Sequence, residues 1–202
     1  MGDAMATIVT RSVLCLGGAA LAAGSLGSNE AEAQSLEGGY GGLSFGVFTG
    51  QPDDSWPEYS FTGAATGLFL GYNAVLGDSF GGNLVVGPEL VWHNRANITF
   101  YDNYSFRNIL DLRLRVGQSF GDSLVYGAVG WSRATPSFGG GKVIMGSPTA
   151  TGLNIGIGFE VGLGNNMFVG GDLTRRNLSG SNGKMSGSGN LTSATVRLGL
   201  RF

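Results

Sequence analysis

Charged side chains in this sequence recur at even spacings that suit one face of a β-strand. Asp111, Arg113 and Arg115 are two residues apart, and Arg197 and Arg201 are four apart. Successive side chains of a strand point to opposite faces, so each group would share a face. Acids and bases held together in this way can form buried ion pairs, exchange protons or line a path for ions. The elements that carry them decide between these possibilities.

Apolar residues occupy the positions between these charges. The alternation is continuous at 110–117, at 152–162 and at 194–202, and the apolar residues of the second segment are Leu153, Ile155, Ile157, Phe159 and Val161. Glycine or a polar residue takes most of the other positions. A period of two over this length predicts β-strands with one apolar face and one glycine-rich, charged face.

Eight segments with this alternation can be placed along the chain. We predict strands at 39–49, 63–76, 83–94, 106–119, 124–132, 150–162, 167–176 and 191–202. Each is close to the ~9–11 residues that a tilted strand needs to cross a bilayer. In the first and fifth segments glycines lie on both faces, so the sequence leaves open which face points inward.

The connections between these segments alternate in length. Long polar stretches at 50–62, 95–105, 133–149 and 177–190 alternate with short turns around Gly77, Gly121 and Gly164. Long connections on one side and short turns on the other are typical of a bacterial outer-membrane barrel with its termini in the periplasm.

Composition supports a membrane-facing surface. Of 202 residues, 38 are glycine, 13% are charged, and the formal net charge is −2. This excludes the charge-rich composition of disordered chains and the basic surface of nucleic-acid-binding proteins. A soluble β-sandwich needs a hydrated polar face, yet the two lysines, Lys142 and Lys184, fall in predicted loops. The predicted fold is therefore all-β, an eight-stranded antiparallel up-and-down transmembrane β-barrel.

The first 33 residues have the pattern of a secretory signal peptide. Arg11 precedes an apolar run at 12–26, which is too short to span a bilayer, and Ala31-Glu32-Ala33 forms a small-residue cleavage site. We expect cleavage near Ala33 and a barrel domain at 34–202; an N-terminal anchor is the alternative. Cys15, the one cysteine, lies in the predicted signal peptide.

By strand parity, four acids and four bases point into the barrel. They are Glu89, Asp111, Glu160 and Asp172 with Arg113, Arg115, Arg197 and Arg201. An unpaired buried charge costs several kcal/mol, so we predict a salt-bridged network that fills the lumen. A path for ions or protons through the same residues is the alternative, and the sequence does not assign individual pairs. Glycines on the same face would make room for these long side chains.

A second set of arginines falls at the long-loop ends of the predicted strands. It comprises Arg95, Arg107, Arg133, Arg175 and Arg176. Because guanidinium groups bind phosphate through two parallel hydrogen bonds, we hypothesise that this rim contacts lipopolysaccharide phosphates. A solvated rim without a specific partner is the alternative.

Aromatic residues fit the two interfacial girdles of a membrane barrel. The inner girdle is predicted to contain Tyr72, Phe80, Phe120, Phe168 and Phe202, and the outer girdle Trp92, Phe100, Tyr101, Tyr104, Phe106, Trp131 and Phe138. Pro88 lies inside the third strand and removes a ladder hydrogen bond, so we expect a bulge or local distortion there.

The alternating segment 196–202, which ends in Phe202, resembles the C-terminal strand of bacterial outer-membrane proteins. Together with 67–73 and 87–90, it makes the chain similar to the small eight-stranded outer-membrane β-barrels, the porin-like and OmpA-transmembrane-domain-like family. The resemblance implies a Gram-negative outer membrane and a terminal Phe202 that the barrel assembly machinery reads. Members of that family are structural links, adhesins, small pores or lipid-binding surface proteins.

Enzymes also occur among such barrels, including lipid A deacylases, lipid A acyltransferases and omptin proteases. His93, the only histidine, is predicted to point inward near the outer rim, but Asn94 and Arg95 follow it where a deacylase-type motif would have serine. No histidine–cysteine cluster suits a metal. We therefore predict no enzymatic activity and no cofactor.

The predicted function is that of an integral outer-membrane barrel with a structural or surface-interaction role and a filled, charge-paired lumen. A small-solute channel is the alternative, and a lipid A-modifying enzyme is a distant one. The expected partners are outer-membrane lipid, lipopolysaccharide and, during biogenesis, the barrel assembly machinery. We expect a monomer that does not bind nucleic acid.

Overall fold

A computed structural model describes residues 36–52, 61–79, 82–98, 105–137, 149–181 and 186–202. These residues form eight antiparallel strands in a closed barrel in which sequential neighbours pair and β1 pairs with β8. The strands are β1 (Gly38–Pro52), β2 (Phe61–Ser79), β3 (Gly82–Ile98), β4 (Ser105–Phe120), β5 (Ser123–Ser137), β6 (Ala150–Gly164), β7 (Met167–Ser181) and β8 (Ser186–Arg201). The predicted up-and-down barrel is confirmed. The predicted signal peptide and its cleavage site lie outside the described residues.

Closure is made by a long, regular seam between the first and last strands. The pairing runs from Tyr40↔Arg201 to Pro52↔Gly189, and the main-chain N–H of Phe202 donates to the carbonyl of Gly39. A closed sheet has no edge strand with unpaired backbone N–H and C=O groups. Strands inside a bilayer require this, because no water is present there to form hydrogen bonds with such groups. In the described ranges, no helix is long and apolar enough to cross a membrane.

The strands are longer than the sequence predicts, at 15 to 19 residues each. β7 continues to Ser181 and β8 begins at Ser186, with Ser179 paired to Ser188. The interpretation of 177–190 as a loop is therefore wrong for most of its length. The apolar alternation ends where lipid contact ends, whereas main-chain pairing between serine and glycine residues continues beyond it.

Alternation along the strands separates a lipid-facing wall from a filled interior. Exposed residues of the wall include Leu43, Phe45, Leu112, Ile155 and Val196, which are between 55% and 64% exposed. The structure also settles the two open registers. In β1 Ser44 and Phe48 point inward, and in β5 Tyr126 and Ser132 do so.

Glycines on the inward face create space for large neighbours. A Cβ atom at Gly158 would overlap the ring of Tyr126, and one at Gly71 would overlap the ring of Tyr40. These close approaches confirm the prediction that inward glycines make room for long side chains in the lumen.

The expectation of a bulge or local distortion at Pro88 is met by a local distortion. The register is the same at Gly71↔Glu89 and Ala74↔Val86, so Pro88 causes no bulge. Between those pairs the β2–β3 ladder lacks partners for Gly87 and Pro88; the missing N–H is accommodated by a gap in the ladder and not by an extra residue.

The described strand β2 runs past the position predicted for the first short turn. β2 continues through Gly77 to Ser79, and a register shift separates Val75 from Asp78. The other two turns fall where the sequence places them, at 121–122 and 165–166. Asn165 and Asn166 have φ values of 51° and 61°, the left-handed pair that suits a type I′ hairpin.

Candidate functional site: the filled interior of the barrel

Glu89 on β3 is the hub of the central part of the interior. It is 1% exposed and contacts three arginines. Its Oε1 lies 2.6 Å from Arg113 Nη2, its Oε2 lies 3.0 Å from Arg115 Nη1, and Oε2 also pairs with Arg197. One carboxylate therefore ties β3 to β4 and, across the lumen, to β8.

Asp172 on β7 supplies the second central carboxylate. Arg113 donates to both of its oxygens, at 3.2 Å and 2.7 Å, in a two-pronged pair. The Tyr126 hydroxyl donates to Oδ2 at 3.0 Å and itself accepts from Arg197 at 2.7 Å. We call this set the central layer: Glu89, Arg113, Tyr126, Asp172 and Arg197.

A separate polar group lies nearer the long connections. Arg176 Nε and Nη2 donate to Asp111 at 2.9 Å and 2.6 Å, and Arg176 Nη1 donates to the Ser193 hydroxyl at 2.8 Å. The Ser132 hydroxyl donates to Asp111 at 2.6 Å and accepts from the Asn154 amide at 2.8 Å. We call this set the outer layer: Asp111, Ser132, Asn154, Arg176 and Ser193.

The outer layer corrects one assignment. Arg176 is 1% exposed and belongs to the lumen network, not to the surface rim. β7 extends five residues beyond Arg176, so its side chain follows the inward parity of Asp172 and Thr174 instead of ending at the barrel mouth.

The third polar group lies toward the short turns. Glu160 Oε1 accepts from Arg115 Nη2 at 2.7 Å, whereas Glu160 Oε2 lies 3.5 Å from Arg201 Nη2, an ion pair without a hydrogen bond. Asn73 is also buried at this end. We call this set the inner layer: Asn73, Arg115, Glu160 and Arg201. All eight predicted lumen charges are thus buried and in contact with opposite charges.

Aromatic rings lie against the guanidinium groups of the lumen. The Arg115 guanidinium carbon is 3.7 Å from the Tyr126 ring centroid, and that of Arg197 is 3.9 Å from the Phe69 centroid. Arg201 lies 4.9 Å from the ring centroid of Phe168. Phe168 is fully buried, so its assignment to the inner girdle is wrong: its even-numbered parity in β7 points it into the barrel.

An apolar cluster lies inside the barrel on the side of the long connections. It packs residues from six strands, all less than 6% exposed: Phe48, Ala65, Ile109, Ala134, Leu178 and Leu191. A second cluster, with Leu36, Val85 and Leu124, lies at the opposite end. The ion-paired layers therefore lie between apolar side chains.

The remaining rim arginines do not form one described cluster. Arg133 and Arg175 point outward from β5 and β7 and are exposed. Arg95 and Arg107 are cross-strand partners in β3 and β4, and their side chains lie outside the described part of the chain. Of the arginines predicted to contact lipopolysaccharide, Arg133 and Arg175 are thus the two whose side chains are described and point outward.

Some of the aromatic residues predicted for the two girdles have described side chains, and others do not. Those exposed on the outer wall are Tyr72, Phe120, Trp131 and Phe202, and Trp92 is half-buried. Phe80, Phe100, Tyr101, Tyr104 and Phe138 lie outside the described residues, as does the side chain of Phe106.

His93 points inward as predicted and is 2% exposed. Its Nε2 lies 3.4 Å from the Ser44 hydroxyl, and its ring meets Phe48 edge-on with centroids 5.0 Å apart. Within the described ranges, no three histidine, cysteine, aspartate or glutamate side chains are grouped to hold a metal.

Sequence reasoning missed the neutral members of the network. Tyr40, Tyr126 and Ser132 lie on strands whose register the sequence left open, while Thr174 and Ser193 share the parity of charged neighbours. These residues could be recognised in the sequence as serine, threonine or tyrosine at inward-facing positions. Recognising them requires that the inward face of each strand is already known.

Comparisons with known proteins agree with this architecture. The profile of the outer membrane protein β-barrel domain family matches residues 18–202. The structure of Neisserial surface protein A (NspA) matches with a TM-score of 0.56 at 12% identity, over 82% of this chain and 100% of that chain. Ail of Yersinia pestis matches with a TM-score of 0.50 at 14% identity, over 82% and 99%.

The outer membrane enzyme PagL matches less well, with a TM-score of 0.42 at 12% identity over 79% and 99% of the two chains. No curated protein sequence matches the chain. At these identities the structural likenesses show the fold and carry over no activity. The profile match covers nearly the whole chain, and it agrees with the closed eight-stranded barrel and the charge-paired interior. The chain therefore belongs to the outer membrane β-barrel protein family of Gram-negative bacteria.

Proposed function

We propose that this barrel serves as a closed structural scaffold that presents its long connections at the cell surface, and not as a solute pathway. The observation that supports this is the network centred on Glu89, which joins β3, β4 and β8 through buried ion pairs. A permeant solute would have to displace several charge-assisted hydrogen bonds of this kind, each stronger than a neutral one.

The apolar cluster at the long-connection end adds a second barrier. Phe48 and Ile109 are fully buried, and Leu191 is 2% exposed. An apolar constriction excludes water and offers no polar group to replace the hydration shell of an ion, so it acts as a barrier to ions. Passage would therefore require both the apolar cluster and the ion-paired layers to open.

Planar-bilayer recording tests the proposal. The purified, folded protein is expected to give no reproducible conductance steps. The variant Arg113→Ala with Arg197→Ala removes two guanidiniums from the central layer and is expected to remain non-conducting, because the apolar cluster is still present. Adding Phe48→Ala and Leu191→Ala weakens both barriers and is expected to give conductance, provided that heat-modifiable gel mobility shows a folded barrel. Reproducible steps from the unmodified protein would favour the small-solute channel instead.

The proposal includes no catalytic role. The Ser44–His93 pair is the nearest approach to a nucleophile and base on described residues, and it lies inside the lumen, with Ser44 5% and His93 2% exposed. Lipid A chains outside the wall cannot reach it. Analysis of lipid A after overexpression is expected to show unchanged acylation, and a changed acylation pattern would support the enzyme alternative.

Lipopolysaccharide contact remains part of the proposal through Arg133 and Arg175. Both guanidiniums are exposed on the outer wall toward the long connections, where their planar donors suit phosphate. Replacing both with glutamine is expected to reduce co-purified lipopolysaccharide. Unchanged co-purification would leave these arginines as ordinary solvated residues.

Biogenesis and assembly state are also proposed from local features. Phe202 is 76% exposed at the end of the last strand, as a residue read by the barrel assembly machinery would be. We propose removal of the leader near Ala33 and a monomeric mature barrel. N-terminal sequencing and light scattering in detergent test these two points.

A further inference from the structure

The lumen contains more positive than negative charge. Its buried ionisable residues are five arginines and four carboxylates: Arg113, Arg115, Arg176, Arg197 and Arg201 with Glu89, Asp111, Glu160 and Asp172. Because Arg176 points inward, the described interior has an excess of one positive charge. An uncompensated buried charge is costly, so its position is informative.

The excess is localised in the inner layer. Asp111 pairs with Arg176, while Glu89 and Asp172 hold Arg113 and Arg197. Glu160 is then shared by two arginines, Arg115 and Arg201. Arg115 also contacts Glu89, so Arg201 is the arginine that depends on the shared Glu160 alone for an opposite charge.

Arg201 is the least satisfied of these guanidiniums. Its side chain is 5% exposed, and Nε, Nη1 and Nη2 make no hydrogen bond within the described barrel. Each of the other four lumen arginines donates at least two hydrogen bonds. A buried donor without a hydrogen-bond partner calls for an explanation, and a bound ion is one that fits a guanidinium.

Further free donors lie at the same end of the barrel. Asn73 Nδ2 and Arg115 Nε are buried without hydrogen-bond partners. Asn73 and Arg201 flank β1, since Asn73 is opposite Gly38 and Arg201 is opposite Tyr40. The unused groups here are mainly donors, with Glu160 Oε2 as the unbonded acceptor.

We propose that the inner layer is a binding site for a small oxyanion, a carboxylate or phosphate group. Its oxygens accept hydrogen bonds from the Arg201 guanidinium and the Asn73 amide, and its charge balances the excess positive charge. The Glu160 carboxylate limits the site to one compact anionic group, because a larger anion would approach like charge.

Anion-dependent stability of the folded protein in detergent tests the site. Midpoints of thermal unfolding are compared in chloride and in millimolar inorganic phosphate or acetate at constant ionic strength. The unmodified protein is expected to show a saturable rise in midpoint with the ligand it prefers, as a ligand specific for the folded state requires. Isothermal titration with the same anions distinguishes phosphate from carboxylate.

Two variants decide the outcome. Arg201→Met keeps the apolar stem against Phe168 and is expected to abolish the saturable rise and weaken anion binding at least tenfold, while folding as well as the unmodified protein in chloride. Arg133→Gln, on the outer wall, is expected to retain both effects. The proposal is overturned if Arg201→Met keeps the anion response or if the unmodified protein shows none. It is also overturned if Arg201→Met is strongly destabilised in chloride, because the chain itself would then already compensate the positive charge of Arg201.

Discussion

The outer and inner layers contain similar groups in opposite states of satisfaction. In the outer layer one arginine meets one carboxylate, and Arg176 donates from all three of its nitrogens to Asp111 and Ser193. In the inner layer two arginines share Glu160, and Arg201 donates to nothing in the described barrel. The arginine–carboxylate pair of the outer layer is thus fully hydrogen-bonded, although Asn154 Oδ1 beside it has no partner, whereas the guanidinium of Arg201 in the inner layer has none of its hydrogen bonds satisfied.

Neighbouring residues explain the difference. Ser132 and Ser193 place hydroxyls beside the Asp111–Arg176 pair. Around Arg201 the neighbours are the Phe168 ring and its cross-strand partner Tyr40, and the one carboxylate oxygen nearby, Glu160 Oε2, lies 3.5 Å away without a hydrogen bond. A buried charge stabilises the barrel only where the surrounding strands also supply its remaining hydrogen bonds.

The largest expected effect comes from breaking the outer layer. Arg176→Met leaves Asp111 with the Ser132 hydroxyl and no cation, which is expected to cost about 3–5 kcal/mol of unfolding free energy. Equilibrium unfolding in urea and detergent micelles measures this loss. A loss of unfolding free energy below about 1 kcal/mol would contradict the difference between the two layers. Removing one partner should cost the most stability where both partners are fully hydrogen-bonded.

The double variant Arg176→Met with Asp111→Leu controls for the lost packing of the arginine stem. It removes both charges together, so it is expected to be more stable than Arg176→Met alone. A double variant as unstable as the sum of the two single variants would show that the pair is not coupled.

An intermediate effect is expected from Glu160→Gln in the inner layer. Arg115 keeps Glu89, but the excess charge grows, so the variant is expected to lose about 1–3 kcal/mol in chloride. It should also bind phosphate more tightly, because the repelling carboxylate is gone. Titration calorimetry measures the affinity, and weaker binding would mean that Glu160 helps to hold the anion instead of limiting it.

The smallest effects form a matched pair of neutral residues. Ser193→Ala removes an acceptor from Arg176 and is expected to cost about 1–2 kcal/mol, within the range for an unsatisfied buried donor. Asn73→Ala removes a donor that is already unpartnered and is expected to cost less than about 1 kcal/mol. Urea unfolding of both in chloride checks the order, and a larger loss for Asn73→Ala would contradict it.

Parity and composition were sufficient to predict the barrel and the identity of the lumen charges. Alternation in segments such as 110–117 fixes a face without any knowledge of neighbours, which is why Asp111, Arg113 and Arg115 point inward as expected. The same rule applied strictly would also have placed Phe168 and Arg176 inside, because both share the parity of Asp172.

The errors in loop boundaries came from estimating where strands end. Apolar alternation reports contact with lipid, but β7 and β8 pair through serine and glycine for several residues beyond it. Pairings across the lumen, such as Glu89 with Arg197, depend on closure between β1 and β8, and no local pattern encodes that geometry. Tyr126 could not be assigned because its strand has glycine on both faces.

The contacts inside the barrel have a consequence for sequence change at the cell surface. Asp111, Arg176 and Ser193 belong to β4, β7 and β8 and join these strands without using any of the long connections. The contacts that stabilise the barrel wall therefore do not involve the residues of the long connections. Insertions and substitutions in the connections are therefore expected to leave the barrel wall intact.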